Sequence, residues 1–322
     1  MALLISGGMG HVGFELVRQA SAAGLPVVAQ YRKTFREADA ATVGEGVGWA
    51  RCDLADPSEV ASLGATHPID GCVHAAAVPN DKQARPDPSA AFAANVAATQ
   101  NLLELARRQG WRRFIYVSTG SVFQRESDFT RQILEDAPTS PVTVYGSTKR
   151  CGELLTSMYR REYRLSAATI RISWVYGPPL VPRTPEWPRG PIPYFLRTAL
   201  SGEPVRMASG GDFAASYTYV GDVAAGLLAA WRAPELRHDV YHLGSGENYD
   251  TRRVAAAVRA VVPGATVEVG QGTLPWTTYN TMRGPLAGDR LLRDTGFALA
   301  PAPEEGIAAF ADWMRANPGA WQ

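Results

Sequence analysis

The 322 residues carry 32 Lys and Arg against 31 Asp and Glu, a formal charge of +1, and 46% of them are apolar. That balance suits one large domain or two sharing a core, and with no long basic run it excludes nucleic acid and anionic membrane as partners. Cys52, Cys72 and Cys151 have neither disulfide-framework nor metal-ligand spacing, and no stretch reaches the length of a signal-peptide core or membrane span. The expectation is a metal-free cytoplasmic protein that acts on a small molecule.

In chain order, nearly continuous apolar runs at 2–6, 26–31, 47–52, 70–75, 113–118 and 167–172 predict strands covered on both faces. Helical patterns at 11–24, 57–64, 88–109 and 142–164 alternate with them, with Pro57 and Pro88 near helix starts. This rhythm predicts an α/β fold, a Rossmann-type doubly wound parallel sheet. After Gly177, prolines crowd residues 178–193 and rule out strand or helix interior. Beyond them, helix 193–201 leads on, helix 221–232 and strand 239–243 return to the sheet, and helix 303–316 ends an otherwise irregular segment from 246. The expected division is a dinucleotide-binding domain of 1–175 plus 217–245 and a small discontinuous C-terminal substrate-binding domain of 176–216 plus 246–322.

Gly7, Gly10 and Gly13 follow the first strand and open the first helix. Glycines there let backbone N–H groups reach a pyrophosphate whose charge the helix N-terminus favours. His11 and Val12 share this loop, and His11 is assigned no chemistry of its own. At the end of the second strand Arg32 and Lys33 stand where an acid would hold a ribose 2′-hydroxyl, and no carboxylate follows until Glu37. NADP(H) is therefore expected in preference to NAD(H). Asp53 and Leu54, after the third strand, would meet the adenine.

Tyr145 and Lys149 lie four apart, on one face of a helix. A tyrosine titrates near ~10, and a nearby Lys with an oxidised nicotinamide would lower that value. Just upstream, a strand delivers the hydroxyls of Ser118, Thr119 and Ser121 at the sheet edge where ligands of open α/β sheets bind.

These pieces, with VHAAA at 73–77, Asn95 in NVAATQNLLELA, VSTGSVF at 117–123, YGSTK at 145–149 and RISWVYGP at 171–178, resemble an extended short-chain dehydrogenase/reductase of the NAD-dependent epimerase/dehydratase type. The resemblance covers nearly the whole chain. It implies that Tyr145 is the general acid/base, that Lys149 also holds the nicotinamide ribose, and that Thr119 orients the substrate oxygen, with Ser118 and Ser121 as second choices. Asn95 and the backbone of Ala75, Ala76 and Ala77 would build the cofactor site. Helices 88–109 and 142–164 would form a homodimer interface, unless their apolar faces are internal core.

Departures from the pattern narrow the activity. Gly120 and Ser121 stand where dehydratases carry adjacent Asp and Glu, which disfavours dehydration. The segment around Trp174 resembles ketoreductases, and Arg32 resembles NADP-specific reductases. The reading expected is an NADP(H)-dependent carbonyl reductase or alcohol dehydrogenase for a carbohydrate-like or other polyhydroxylated substrate. The alternatives are a (nucleotide-)sugar epimerase with retained cofactor and a non-catalytic NADP-sensing protein. Ala215 replaces the arginine that clamps a diphosphate in the sugar-nucleotide branch, so a smaller or less charged substrate is expected unless Arg183, Arg189, Arg206 or Arg283 supplies the charge. Trp174, Arg183 and Arg283 are the expected substrate-side residues of the cap.

Overall fold

The computed structural model describes residues 1–125, 128–180, 189–299 and 302–321. The first half runs β1 (Ala2–Ser6), α1 (His11–Ala22), β2 (Val27–Tyr31), a short α2 (Glu37–Ala40), β3 (Val47–Arg51), α3 (Pro57–Thr66), β4 (Ile69–His74) and a short α4 (Asp81–Ala84). Then α5 (Pro88–Phe92) passes through a π-helical turn (Ala93–Ala97) into α6 (Ala98–Gln109), followed by β5 (Arg113–Thr119), α7 (Val144–Glu162) and β6 (Ala167–Ile172). The second half holds β7 (Val175–Tyr176), α8 (Pro191–Leu200), β8 (Val205–Met207), β9 (Ala214–Ala215), β10 (Thr218–Tyr219), α9 (Val220–Arg232) and β11 (Val240–Leu243). It ends with β12 (Tyr249–Asp250), α10 (Thr251–Val261), β13 (Val267–Val269), α11 (Asp289–Thr295) and α12 (Pro303–Ala316).

Seven strands pair in parallel in the order β11-β6-β5-β4-β1-β2-β3. Strand residues alternate between faces, and both faces are buried. Leu3 and Ile5 of β1 join Val223 and Leu227 of α9 in one core, while Leu4 joins Phe114 and Leu102 of α6 in the other. Each large side chain so buried stabilises the fold by about 1.5–3 kcal/mol. The strand order reverses between β1 and β4, so a crevice opens beyond their C-terminal ends, where ligands of such sheets bind.

A third core lies outside the sheet, where Phe195 of α8, Phe213, Val254 and Val258 of α10, and Phe310 of α12 pack together. Two expectations need correction here. The single helix over 88–109 is interrupted by the π-helical turn, and the segment after 246 is less irregular than its sequence suggests. Helix α10 has an N-cap, Asp250, whose carboxylate accepts from the Arg253 N–H at 2.7 Å. Helix α11 packs on β11 and α9, and Leu291 joins the sheet core, so this part of 246–322 sits with the sheet. Among the described residues no helix is long and apolar enough to cross a membrane, and no cluster of His, Cys, Asp and Glu is placed to hold a metal.

Candidate active site

The loop after β1 is shaped by close approaches that only glycine permits. A Cβ on Gly13 would lie 2.0 Å from the Gly7 carbonyl oxygen, and one on Gly7, whose φ is +71°, would lie 2.9 Å from Ala76. Gly10 caps α1 without a side-chain hydrogen bond, so the first N–H groups of the helix stay available to an anion. Neighbours lock the loop. The Gln30 side chain accepts from the Gly7 N–H at 2.9 Å and donates to the Cys52 carbonyl at 2.6 Å. The Ser6 hydroxyl accepts from the Ala76 N–H at 3.0 Å and meets His74 Nδ1 at 2.6 Å. Burial, with Lys149 adding, pushes His74 down to about 3.

Two cavities share Gly7, Gly10, Ala76 and Ala77. One, of about 250 Å³, also takes in His11, Val12, Gly13, Ala75, Thr119, Tyr145 and Lys149. The other, of about 360 Å³, takes in Arg32, Lys33, Asp53 and Leu54. Together they form one trough astride the N-terminus of α1, a shape and polarity that fit a dinucleotide with its pyrophosphate over the helix. His11 ties this loop to the segment after β7, its Nε2–H donating to the Gly177 carbonyl at 2.8 Å. Burial, and then Arg189, hold its ring near 3 and therefore neutral. Asn95 lines neither cavity. From the π-helical turn its Oδ1 accepts from the Val78 N–H at 2.7 Å and its Nδ2 donates to Thr148 at 2.9 Å, which fixes the stretch after β4 from behind.

Helix α7 starts where Thr143 caps it by accepting from the Gly146 N–H, and Tyr145 and Lys149 then stand one turn apart in the 250 Å³ cavity. Thr119 lines the same cavity beside Tyr145. Burial raises the phenol above its ordinary value, and Thr119, Arg189 and Arg283 oppose the rise. In the protein alone, Arg189 and Arg283 are thus cations that favour the phenolate of Tyr145. Lys149 itself is pushed down to about 7 by burial, with Glu153 opposing, and its Nζ lies 4.1 Å from the centre of the Tyr116 ring. Beneath it, Glu153 receives both Arg171 Nε and an Arg171 terminal nitrogen at 2.8 Å and the Ser118 hydroxyl at 2.7 Å. The Ser118 proton is therefore committed to Glu153, and the hydroxyl is not the free substrate donor the sequence suggested.

Ser121 also lines the cavity, its N–H donating to Thr119 Oγ1 at 3.1 Å. Trp174 lines it from a left-handed backbone position, φ +38°, packed edge-on against Phe213 at 5.0 Å between centroids. Such a conformation persists in a bulky residue only where packing over-determines it. Arg283 is buried over Gly120, its Nε 2.6 Å from where a Cβ on that glycine would lie, and it donates to Ser173 Oγ at 3.1 Å. Arg183 lies outside the described residues. Arg206 is an exposed cap residue 3.5 Å from Glu268 and does not line this cavity. Arg189, named from the sequence only as one possible source of charge for a phosphate, lines it, and so does Asn280, which the sequence did not single out. The closing position of Arg189 in the proline-rich stretch is a weak signal, and Asn280 carries none.

The profile of the NAD dependent epimerase/dehydratase family matches residues 3–244. A UDP-glucose 4-epimerase of Mycolicibacterium smegmatis is 27% identical over 98% of this chain and 99% of its own length. A trifunctional UDP-glucose 4,6-dehydratase/UDP-4-keto-6-deoxy-D-glucose 3,5-epimerase/UDP-4-keto-L-rhamnose-reductase of Arabidopsis thaliana is 28% identical over 99% of this chain, which spans only 48% of that relative, about half its length. Among solved structures, the UDP-glucose 4-epimerase of Thermus thermophilus in complex with NAD superposes with a TM-score of 0.82 at 28% identity, covering 98% of this chain and 99% of its own. A dTDP-glucose 4,6-dehydratase from Streptomyces venezuelae with NAD bound gives 0.82 at 26% identity, over 100% of this chain and 99% of its own. A family match running from β1 to just past β11, and nicotinamide enzymes that superpose from end to end, make this chain an enzyme of the extended short-chain dehydrogenase/reductase type that belongs to the NAD dependent epimerase/dehydratase family.

Proposed function

We propose that the chain is a sugar epimerase with a retained nicotinamide dinucleotide, oxidising one carbinol and reducing the resulting ketone on its opposite face. The observation that carries this reading is that Tyr145, Thr119 and Lys149, the last one turn on, line one cavity without a carboxylate among its described lining residues. Dehydration needs a further acid/base group to take a carbon-bound proton, and Gly120 and Ser121 supply no carboxylate for it. Epimerisation needs only the Tyr145 proton, passed to and from one substrate oxygen. The reductase reading rests on Trp174 and Arg32, whereas the relatives that match end to end are named epimerases and a dehydratase.

When bound, the dinucleotide supplies hydride transfer. The chain holds and orients it through the N–H groups at the start of α1, Lys149 at the nicotinamide ribose, and Asp53 and Leu54 at the adenine. Arg32 and Lys33 line the adenosine end of the trough, which favours NADP over NAD although the solved relatives named above carry NAD. Thr119 would hold the reacting oxygen while Tyr145, as the phenolate that Lys149 and the positive charge of the oxidised nicotinamide would favour against its burial, would take the carbinol proton during oxidation and return it to the same oxygen during reduction. Incubation with candidate sugars, followed by NMR for the epimer and by nicotinamide absorbance, tests the reading. Epimer should form with no net absorbance change, and Tyr145→Phe should lower turnover at least about 10²-fold while still binding dinucleotide. Stoichiometric consumption of NADPH would restore the reductase instead.

A further inference from the structure

We infer that the substrate carries a carboxylate close to its reacting carbon, held by Arg283 and Arg189. The inference rests on the reading above only in taking Tyr145 to face that carbon. Both guanidinium groups line the 250 Å³ cavity with Tyr145, and no Asp or Glu is among its described lining residues. Arg283 is buried, it donates to the neutral Ser173 hydroxyl, and its Nε has no partner among the described residues. The Nε of Arg189 is likewise buried without a partner. Two cations with no carboxylate partner among the described residues, in a partly desolvated pocket, are costly unless an anion completes the site. A planar carboxylate matches the guanidinium fork with two parallel hydrogen bonds.

The position of Arg283 says where on the substrate that anion sits. Its Nε lies over Gly120, the residue after Thr119, and both arginines act electrostatically on the Tyr145 phenol. They therefore address the reacting end of a substrate. The diphosphate of a nucleotide sugar is joined across the ring from carbon 4, and the cap position where the sugar-nucleotide branch carries its clamp is Ala215, buried against Tyr249. Gly120 makes the arrangement sterically possible, because any side chain there would displace the guanidinium. A uronic or aldonic acid, free or as part of a larger sugar, fits these constraints.

Calorimetry on the dinucleotide-loaded protein tests the inference without requiring turnover, so a failed epimerase assay leaves its outcome intact. The probes are D-glucuronate against D-glucose, UDP-glucuronate against UDP-glucose, and glucose 6-phosphate as a phosphate of similar size. The acid of a pair should bind at least about 30-fold more tightly than its neutral partner, a difference of about 2 kcal/mol. Arg283→Met should remove that preference without changing dinucleotide affinity, and Arg283→Lys should retain part of it. Arg189→Gln gives a second, independent loss. Equal binding of acid and neutral partner, stronger binding of glucose 6-phosphate than of either acid, or no binding of any acid would overturn the inference.

Discussion

Tyr145 is half-buried beside two cations, and the sign of its response to their removal follows from electrostatics. A positive charge favours the phenolate, so taking one away raises the phenol further. Arg189→Met is therefore expected to move the ascending limb of kcat/KM for carbinol oxidation, where phenolate is the required form, to higher pH. A pH–rate profile of the variant that overlays the wild type would dismiss Arg189 as a neighbour of the phenol. Tyr145, Lys149 and Thr119 were legible in the sequence because their spacing and their place after a strand are local facts. Arg283 was legible only as a cap arginine, since its seat over Gly120 joins residues 163 positions apart and follows from how the C-terminal segment folds back. The engagement of Ser118 by Glu153 was hidden for the same reason.

At the scale of elements, the π-helical turn between α5 and α6 places Asn95 where its amide reaches both the Val78 backbone and Thr148. A π turn widens the helix by one residue per hydrogen bond and commonly marks a functional position. Asn95→Ala would leave the Val78 N–H without its acceptor, and each unsatisfied buried group costs about 1–3 kcal/mol. A lower melting temperature and weaker dinucleotide binding are expected together, read by thermal denaturation and calorimetry. A fall in stability with unchanged dinucleotide affinity would show that the stretch after β4 holds its shape without the amide. The sequence showed apolar periodicity through 88–109 but not the extra residue in the turn, because π and α turns share almost the same pattern over a few residues. Helix α10 was missed because alanines dilute its apolar stripe, although Asp250 stood at the right place to cap it.

On the scale of the whole molecule, the trough joins a sheet core to a separate cap core, so a ligand that fills it ties the two together. Binding to the folded state alone adds about 2.7 kcal/mol at a ligand concentration 100 times Kd. The melting temperature should rise more with NADP than with equal NAD, and Arg32→Asp should reverse that order by setting a carboxylate against the 2′-phosphate. An unchanged order in the variant would mean the phosphate is read by another group, Arg36 foremost, whose guanidinium donates to the Met9 carbonyl at 2.9 Å within the glycine loop. The alternation of apolar runs and helical patterns made the sheet readable almost strand by strand, since every strand but the half-exposed edge strand β3 is largely buried. The return of α11 to the sheet was not readable, because Leu291 and Phe297 report burial without saying against what.

Gly120 and Arg283 occupy one volume between them, and this bears on how the chain can change by mutation. A carboxylate at 120, where dehydratases place one, would set its Cβ 2.6 Å from the Arg283 Nε, so Gly120→Asp must first evict the guanidinium. Shortening Arg283 alone instead leaves a gap over Gly120 and unbinds Ser173. Each single step is expected to lower the melting temperature by more than the double replacement does, a coupling of about 0.5–3 kcal/mol for residues in contact. Additive single and double variants would refute it. Such coupling would make the order of substitution matter: a side chain at 120 is accommodated more easily once Arg283 has been shortened than before it.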